Sequence, residues 1–272
     1  MDEIGELPLE IQPLAVATNH VMHKLQHLLD HQAQSGRAGN SPQSSSRSDA
    51  ASAPIIRAGA ATGLQAGQTV VLCPTIAPDG VEACATRLAK LGVATLDAPM
   101  SGGPARARDG SMSLMLAGPP AVLAQHAALL ADLASRRFVI SERLGDGART
   151  KLVNNLLAGI NLVGAAEALA LAERLGLDLS TTLDVIEQSS GQSWIGSDRM
   201  RRAIAGDLAP RAHVTLLEKD TGLAVAAAGS VGFDGPLGAH AAAVFRAAHL
   251  AGLADLDDAA LLQLLRGPSR PA

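Results

Sequence analysis

The sequence predicts an α/β fold followed by an all-α fold. Between residues 60 and 146, short β-branched apolar runs alternate with amphipathic stretches, the ordering of α/β units. From residue 147 to the C-terminus only helical patterns occur. The two regimes meet at Lys151, which heads a nearly uncharged run, LVNNLLAGINLVGAAEALALAERLGLD. That run reads as one long helix joining the two parts.

Each element can be justified in turn. GQTVVLCPT (67–75) is an apolar, β-branched run bounded by Gly67 and Pro74 and predicts a buried strand. PDGVEACATRLAKL (78–91) predicts an amphipathic helix with Pro and Asp at its start. GVATLDAPM is a second strand, SGGPARARDG a Gly-rich loop, SMSLMLAG a third strand, residues 119–134 a helix and RFVIS a short fourth strand. Helices are then expected over 147–176, 180–189, 195–205, 213–231, 236–252 and 257–266. The domain organisation that follows is 1–59, 60–146 and 147–272. The first of these is a short helix, VATNHVMHKLQHLLDHQ, and a Ser/Gly-rich linker.

Composition excludes several function classes. The 272 residues are 47% hydrophobic, enough for a sizeable core. Phe138, Phe233, Phe245 and Trp194 are the whole aromatic complement, which leaves little to stack on nucleic-acid bases. A net charge of −4 without a basic run gives no reason to expect nucleic acid or an acidic membrane as partner. The acidic start, MDEIGELPLE, is unlike a signal peptide, and Cys73 and Cys84 carry no metal spacing, so a cytoplasmic chain is expected. His20, His23, His27 and His31 recur at helical spacing. Such a stripe is either a solvated face or a zinc or nickel site.

Two stretches raise chemical questions. Gly147, Lys151 and Asn155 fall at i, i+4 and i+8 on one helix stripe. Glycine there suggests a gap for a flat ligand above the lysine, and a partly buried lysine suits proton transfer. The competing reading is a lysine at a domain edge with asparagines satisfying backbone. In DAPMSGGP (97–104), Ser101, Gly102 and Gly103 suit an anion-binding turn. They equally suit a strand-to-strand turn that needs positive φ.

Together these stretches resemble the β-hydroxyacid dehydrogenases, the family of 3-hydroxyisobutyrate dehydrogenase, tartronate semialdehyde reductase and L-threonate dehydrogenase. The family shows D-x-P-x-S-G-G, here DAPMSGG; then G-x-x-x-K-x-x-x-N, here GARTKLVNN; then K-D-x-G-L-A, here KDTGLA (219–224). All three stand in order, and the resemblance runs from about Gly63 to the C-terminus. It implies a partial, N-terminally truncated Rossmann-like parallel sheet with a C-terminal helical domain. It implies NAD(P)-dependent oxidation of a small 3-hydroxy acid, 3-hydroxyisobutyrate- or threonate-like. Lys151 would be the general acid/base at a site between two domains. Ser101, Gly102, Gly103 and Asn155 would bind the substrate carboxylate and hydroxyl. Thr75 and Lys219 would lie at the cofactor, with Asp220 as partner of Lys219. Homodimers or homotetramers through the C-terminal helices are expected.

The departures are local. PTIAP (74–78) keeps the family's Thr75 but has Pro74 where a serine is usual. The glycine-rich dinucleotide fingerprint, G-x-G-x-M-G after a first strand, has no match. The second reading is therefore a non-catalytic, truncated or remodelled member that keeps the helical oligomerisation core.

Overall fold

The structure, a computed structural model, describes residues 64–267. The helix and linker expected over 1–59, with the His20/His23/His27/His31 stripe, lie outside the described residues. An α/β part is followed by a helical part, and the described chain forms two compact units. One holds residues 64–101 with 113–149, the other 102–112 with 150–267.

In the first unit, β1 (Thr69–Leu72) pairs in parallel with β2 (Ala94–Asp97), from Thr69 opposite Ala94 to Leu72 opposite Asp97. The crossover is α1 (Pro78–Ala89), opened by a proline whose fixed φ suits the first helical turn. Its Val81, Cys84 and Leu88 face inward at helical spacing and join Leu72, Ile76, Val93 and Ala148 in one core. Ala98 and Pro99 interrupt the second strand, which resumes as β3 (Met100–Ser101). β4 (Ser113–Ala117) returns antiparallel to both, with Asp97 opposite Ala117 and Ser101 opposite Ser113. The short 102–112 link permits this reversal, because a parallel return needs a longer crossover. β5 (Arg136–Ser141) lies parallel to β4.

Two expectations shift in detail. SGGPARARDG is not all loop: it contains α2 (Gly103–Arg108), which belongs to the second unit. The helix expected over 119–134 is two helices, α3 (Pro120–Gln125) and α4 (Ala127–Leu133). They break at His126, which leaves helical geometry (φ −105°, ψ 15°). Its ring Nε2 lies 2.9 Å from Thr69 Oγ1.

α5 (Asp146–Arg174) begins in the first unit and continues through the second. The helices that follow are α6 (Leu179–Glu187), α7 (Trp194–Ile204), α8 (Val214–Ser230), α9 (Pro236–Ala248) and α10 (Leu261–Arg266). Asp178 and Ser193 cap α6 and α7 by accepting the N–H of Thr181 and Gly196. The core gathers Leu162, Leu169, Met200, Leu217, Phe245 and Leu261. α5 is the one helix among the described residues long and apolar enough to cross a membrane. Its Leu162, Ala166 and Leu169 are buried in the helical core, while Val153 and Leu157 are exposed. α8 approaches α5 closely at Gly159, where a Cβ would meet Thr221 Cγ2 at 2.6 Å.

Candidate active site

Lys151 stands on the second turn of α5 and is only 7% exposed. Burial pushes its pKa down from the ordinary value; the charge of Asp220 partly opposes this, and Lys219 adds to the fall. Among the described residues its ammonium makes no hydrogen bond or ion pair. A buried cation in that state favours losing its proton or meeting an outside partner.

One turn on, Asn155 is 8% exposed and donates from Nδ2 to Asp220 Oδ2 at 2.5 Å. Its own Oδ1 accepts from Asn154 Nδ2 at 3.0 Å. Asp220, on α8 and 6% exposed, has its other oxygen 2.6 Å from Lys219 Nζ. A buried carboxylate is thus held from both sides, by an amide and by an ammonium, which meets the requirement that a buried charge be paired. Lys151, Asn155 and Lys219 therefore gather around Asp220 within one unit. The i, i+4 spacing gives the Lys151–Asn155 face, but only tertiary folding supplies Asp220 to it.

The start of α5 is held from β2. Asp97 is 1% exposed, and its Oδ2 accepts the N–H of Gly145 at 3.0 Å and of Ala148 at 2.9 Å. These donors belong to the helix entry, where backbone N–H groups lack helical partners and a carboxylate complements the positive end. Burial raises the Asp97 pKa, opposed by the backbone hydrogen bonds. Sequence reading assigned Asp97 no role, since nothing in DAPMSGG signals a partner some fifty residues on.

Gly147 corrects an expectation. It leaves no gap for a flat ligand: a Cβ there would lie 2.6 Å from Met115 O and 3.0 Å from Asp97 Oδ2. The glycine lets the helix entry press against β4 and the Asp97 carboxylate.

Ser101 ends β3 opposite Ser113. Gly102 (φ 138°) and Gly103 (φ 69°) follow in backbone conformations that favour glycine. Positive φ at both residues is what the turn reading required. Beyond it, Arg106 on α2 stacks on Trp194, its guanidinium carbon 4.9 Å from the ring centroid. The two residues are too distant along the chain for local pattern to reveal this contact. Thr75 sits half-buried in the loop after β1. Thr75 and Ser101 belong to the first unit, and Gly102, Gly103, Lys151, Asn155 and Lys219 to the second.

Comparison with known proteins places relatives beside this geometry. Residues 46–141 match the family described as the NAD binding domain of 6-phosphogluconate dehydrogenase. Residues 145–265 match the family described as NAD-binding of NADP-dependent 3-hydroxyisobutyrate dehydrogenase. The L-threonate dehydrogenase of Cupriavidus necator is 37% identical over 213 residues, which cover 78% of this chain and 72% of that protein. The crystal structure of 3-hydroxyisobutyrate dehydrogenase from Salmonella typhimurium is 34% identical, with a TM-score of 0.74 over 78% of this chain and 76% of that one. Psf3, solved in complex with NADP+ and 2-OPP, is 26% identical, with a TM-score of 0.67 over 74% of this chain and 70% of that one.

Proposed function

This chain belongs to the 3-hydroxyisobutyrate dehydrogenase family of NAD(P)-dependent hydroxyacid dehydrogenases, and from that premise we propose that it oxidises a small 3-hydroxy acid with Lys151 as general acid/base. The observation that supports this most is Lys151 itself, buried with a lowered pKa and, among the described residues, no bonding partner. A neutral amine takes the proton from the substrate hydroxyl oxygen during oxidation, and the ammonium returns it in the reverse direction. Asn155 orients the same oxygen or the carboxylate. Its amide carries two hydrogens, of which Asp220 takes one, leaving one for substrate. The Ser101-Gly102-Gly103 turn receives the carboxylate through backbone N–H groups and the serine hydroxyl.

The residues present fit the nicotinamide end of a dinucleotide. Thr75 follows the carboxyl end of β1, and β1 runs parallel to β2. That is the edge of an α/β sheet where such ligands bind. Lys219, in the second unit, is the other residue that the resemblance assigns to the cofactor. Bound NAD or NADP supplies the hydride acceptor. The described residues contain no glycine-rich turn to seat the pyrophosphate.

A homodimer or homotetramer through the helical unit accompanies this reading. Val153 and Leu157 on α5, Leu216 on α8 and Leu237 on α9 are exposed apolar side chains that a partner copy would cover. Both cysteines are free, in keeping with a reducing, cytoplasmic setting.

The test is steady-state oxidation of 3-hydroxyisobutyrate, L-threonate and related acids with NAD+ and NADP+. The chain should turn over at least one of them. Lys151→Ala should lose about 10²–10⁴-fold in kcat with an unchanged melting temperature and oligomeric state. Retained turnover in that variant would end the acid/base assignment.

A further inference from the structure

Arg106 belongs to the segment that leaves the Gly102-Gly103 turn, and two contacts within the second unit hold it. Its stem lies along Gly102, where a Cβ would come within 2.9 Å of Arg106 Cβ and Cδ. Its guanidinium lies over Trp194, 4.9 Å from the ring centroid, at the first residue of α7. The indole remains 53% exposed. Among the described residues the guanidinium makes no ion pair and no hydrogen bond. Asp109, the acidic group nearest in sequence, is occupied with Ser111; its pKa is lowered first by that contact, with Arg106 a lesser cause.

A guanidinium stacked by its face keeps its N–H donors at its edge, in a planar fork suited to carboxylate and hydroxyl oxygens. The stacking also orders the side chain before any ligand arrives, which reduces the entropy lost on binding. This pre-ordered, unpaired fork stands beside a turn whose backbone is open to a ligand, since a Cβ at Gly103 would meet nothing within 4 Å.

We propose that Arg106 is a specificity-determining residue that hydrogen-bonds the oxygens of a short polyhydroxylated carboxylate, an aldonate, in preference to a methyl-branched 3-hydroxy acid. The inference rests on the reading of the Ser101-Gly102-Gly103 turn as the carboxylate seat. A methyl branch set against the guanidinium edge would strip water from N–H donors and replace it with nothing. An extra hydroxyl there would take that water's place. Sites built to bond a hydroxyl discriminate strongly against analogues that lack it.

The test uses Arg106→Met, which keeps a stem over Gly102 and removes the fork. In the otherwise wild-type chain, the ratio of kcat/KM for L-threonate to that for 3-hydroxyisobutyrate should fall at least about tenfold, mostly through the KM for L-threonate. Binding is read separately in the Lys151→Ala background, where turnover is off. Emission of Trp194, the single tryptophan of the chain, is titrated with each acid in the presence of NADP+. L-threonate should bind more tightly than 3-hydroxyisobutyrate, and adding Arg106→Met should weaken L-threonate at least about tenfold. An unchanged ratio, equal weakening of both acids, or an emission that responds to neither would overturn the proposal. Absent turnover with Arg106-dependent binding would count against the dehydrogenase reading and leave the Arg106 assignment standing. Turnover with an unchanged ratio would do the reverse.

Discussion

Asp97 Oδ2 accepts the backbone N–H of Ala148 at 2.9 Å, so the last residue of β2 holds the first turn of the helix that carries Lys151. A second N–H, from Gly145, reaches the same oxygen at 3.0 Å. Asp97→Ala strips two donors of their acceptor in a buried place. Each such loss costs about 1–3 kcal/mol, so the variant should lose about 2–6 kcal/mol in chemical denaturation. Asp97→Asn keeps an acceptor in position and drops a charge that burial already opposes, and should lose less. Equal losses would mean that the carboxylate itself, rather than its acceptor role, secures the helix.

Gly147→Ala tests the same junction from the other side. Alanine in a helix interior ordinarily gains about 0.5–1 kcal/mol over glycine. Here its Cβ would meet Met115 O at 2.6 Å, a backbone atom of β4 that has no rotamer by which to retreat. Overpacking should win by about 1–3 kcal/mol, lowering the thermal midpoint. A raised midpoint would show that the helix entry can move aside.

The pH dependence of turnover follows from Lys151. Burial pushes its pKa below 10.5, Lys219 pushes it further, and Asp220 holds it up. Only the neutral amine can accept the hydroxyl proton, so kcat/KM for oxidation should rise with pH and level off above the lowered pKa. Asp220→Asn removes the anion that favours the ammonium, so the inflection should move to lower pH. An inflection that stays in place or moves upward would separate Asp220 from the lysine's titration. Lys151→Arg stays protonated throughout and should be inactive at every pH.

Cys73 should be chemically silent. Burial, helped by the negative charge of Asp97, pushes its thiol up to about 12. At a pH of about 8 the thiolate is then on the order of 10⁻⁴ of the population, and the thiolate is the reactive form. The native chain should resist a thiol reagent at Cys73, with labelling of both cysteines on unfolding, followed by mass spectrometry. Cys73 is partly exposed, so rapid native labelling would show that its thiol ionises far more readily than its raised pKa implies.

Much of the plan is legible from residue order because it depends on near neighbours. TVVL reads as a strand, and the pattern of Val81, Cys84 and Leu88 reads as one helix face, as observed. Lys151 and Asn155 share a stripe because four residues make about one turn. The same locality explains the failures. α2 is too short for an apolar period to show, so its six residues read as loop. The break at His126 involves Thr69, and no window of sequence holds both.

By itself the sequence determined that an α/β part precedes a helical one, that a lysine and an asparagine face the same way on the long helix, and that glycines occupy the 102–103 turn. Tertiary structure alone decided what those residues meet. Asn155 finds Asp220 sixty-five positions away, Gly147 finds a strand backbone where a cavity was expected, and Arg106 finds the face of Trp194. Local steric preference and hydrophobic period are encoded within a few residues of chain. The pairing of a buried charge and the filling of a Cβ-sized space depend on which distant segments pack together, and those contacts form only when the whole chain has folded.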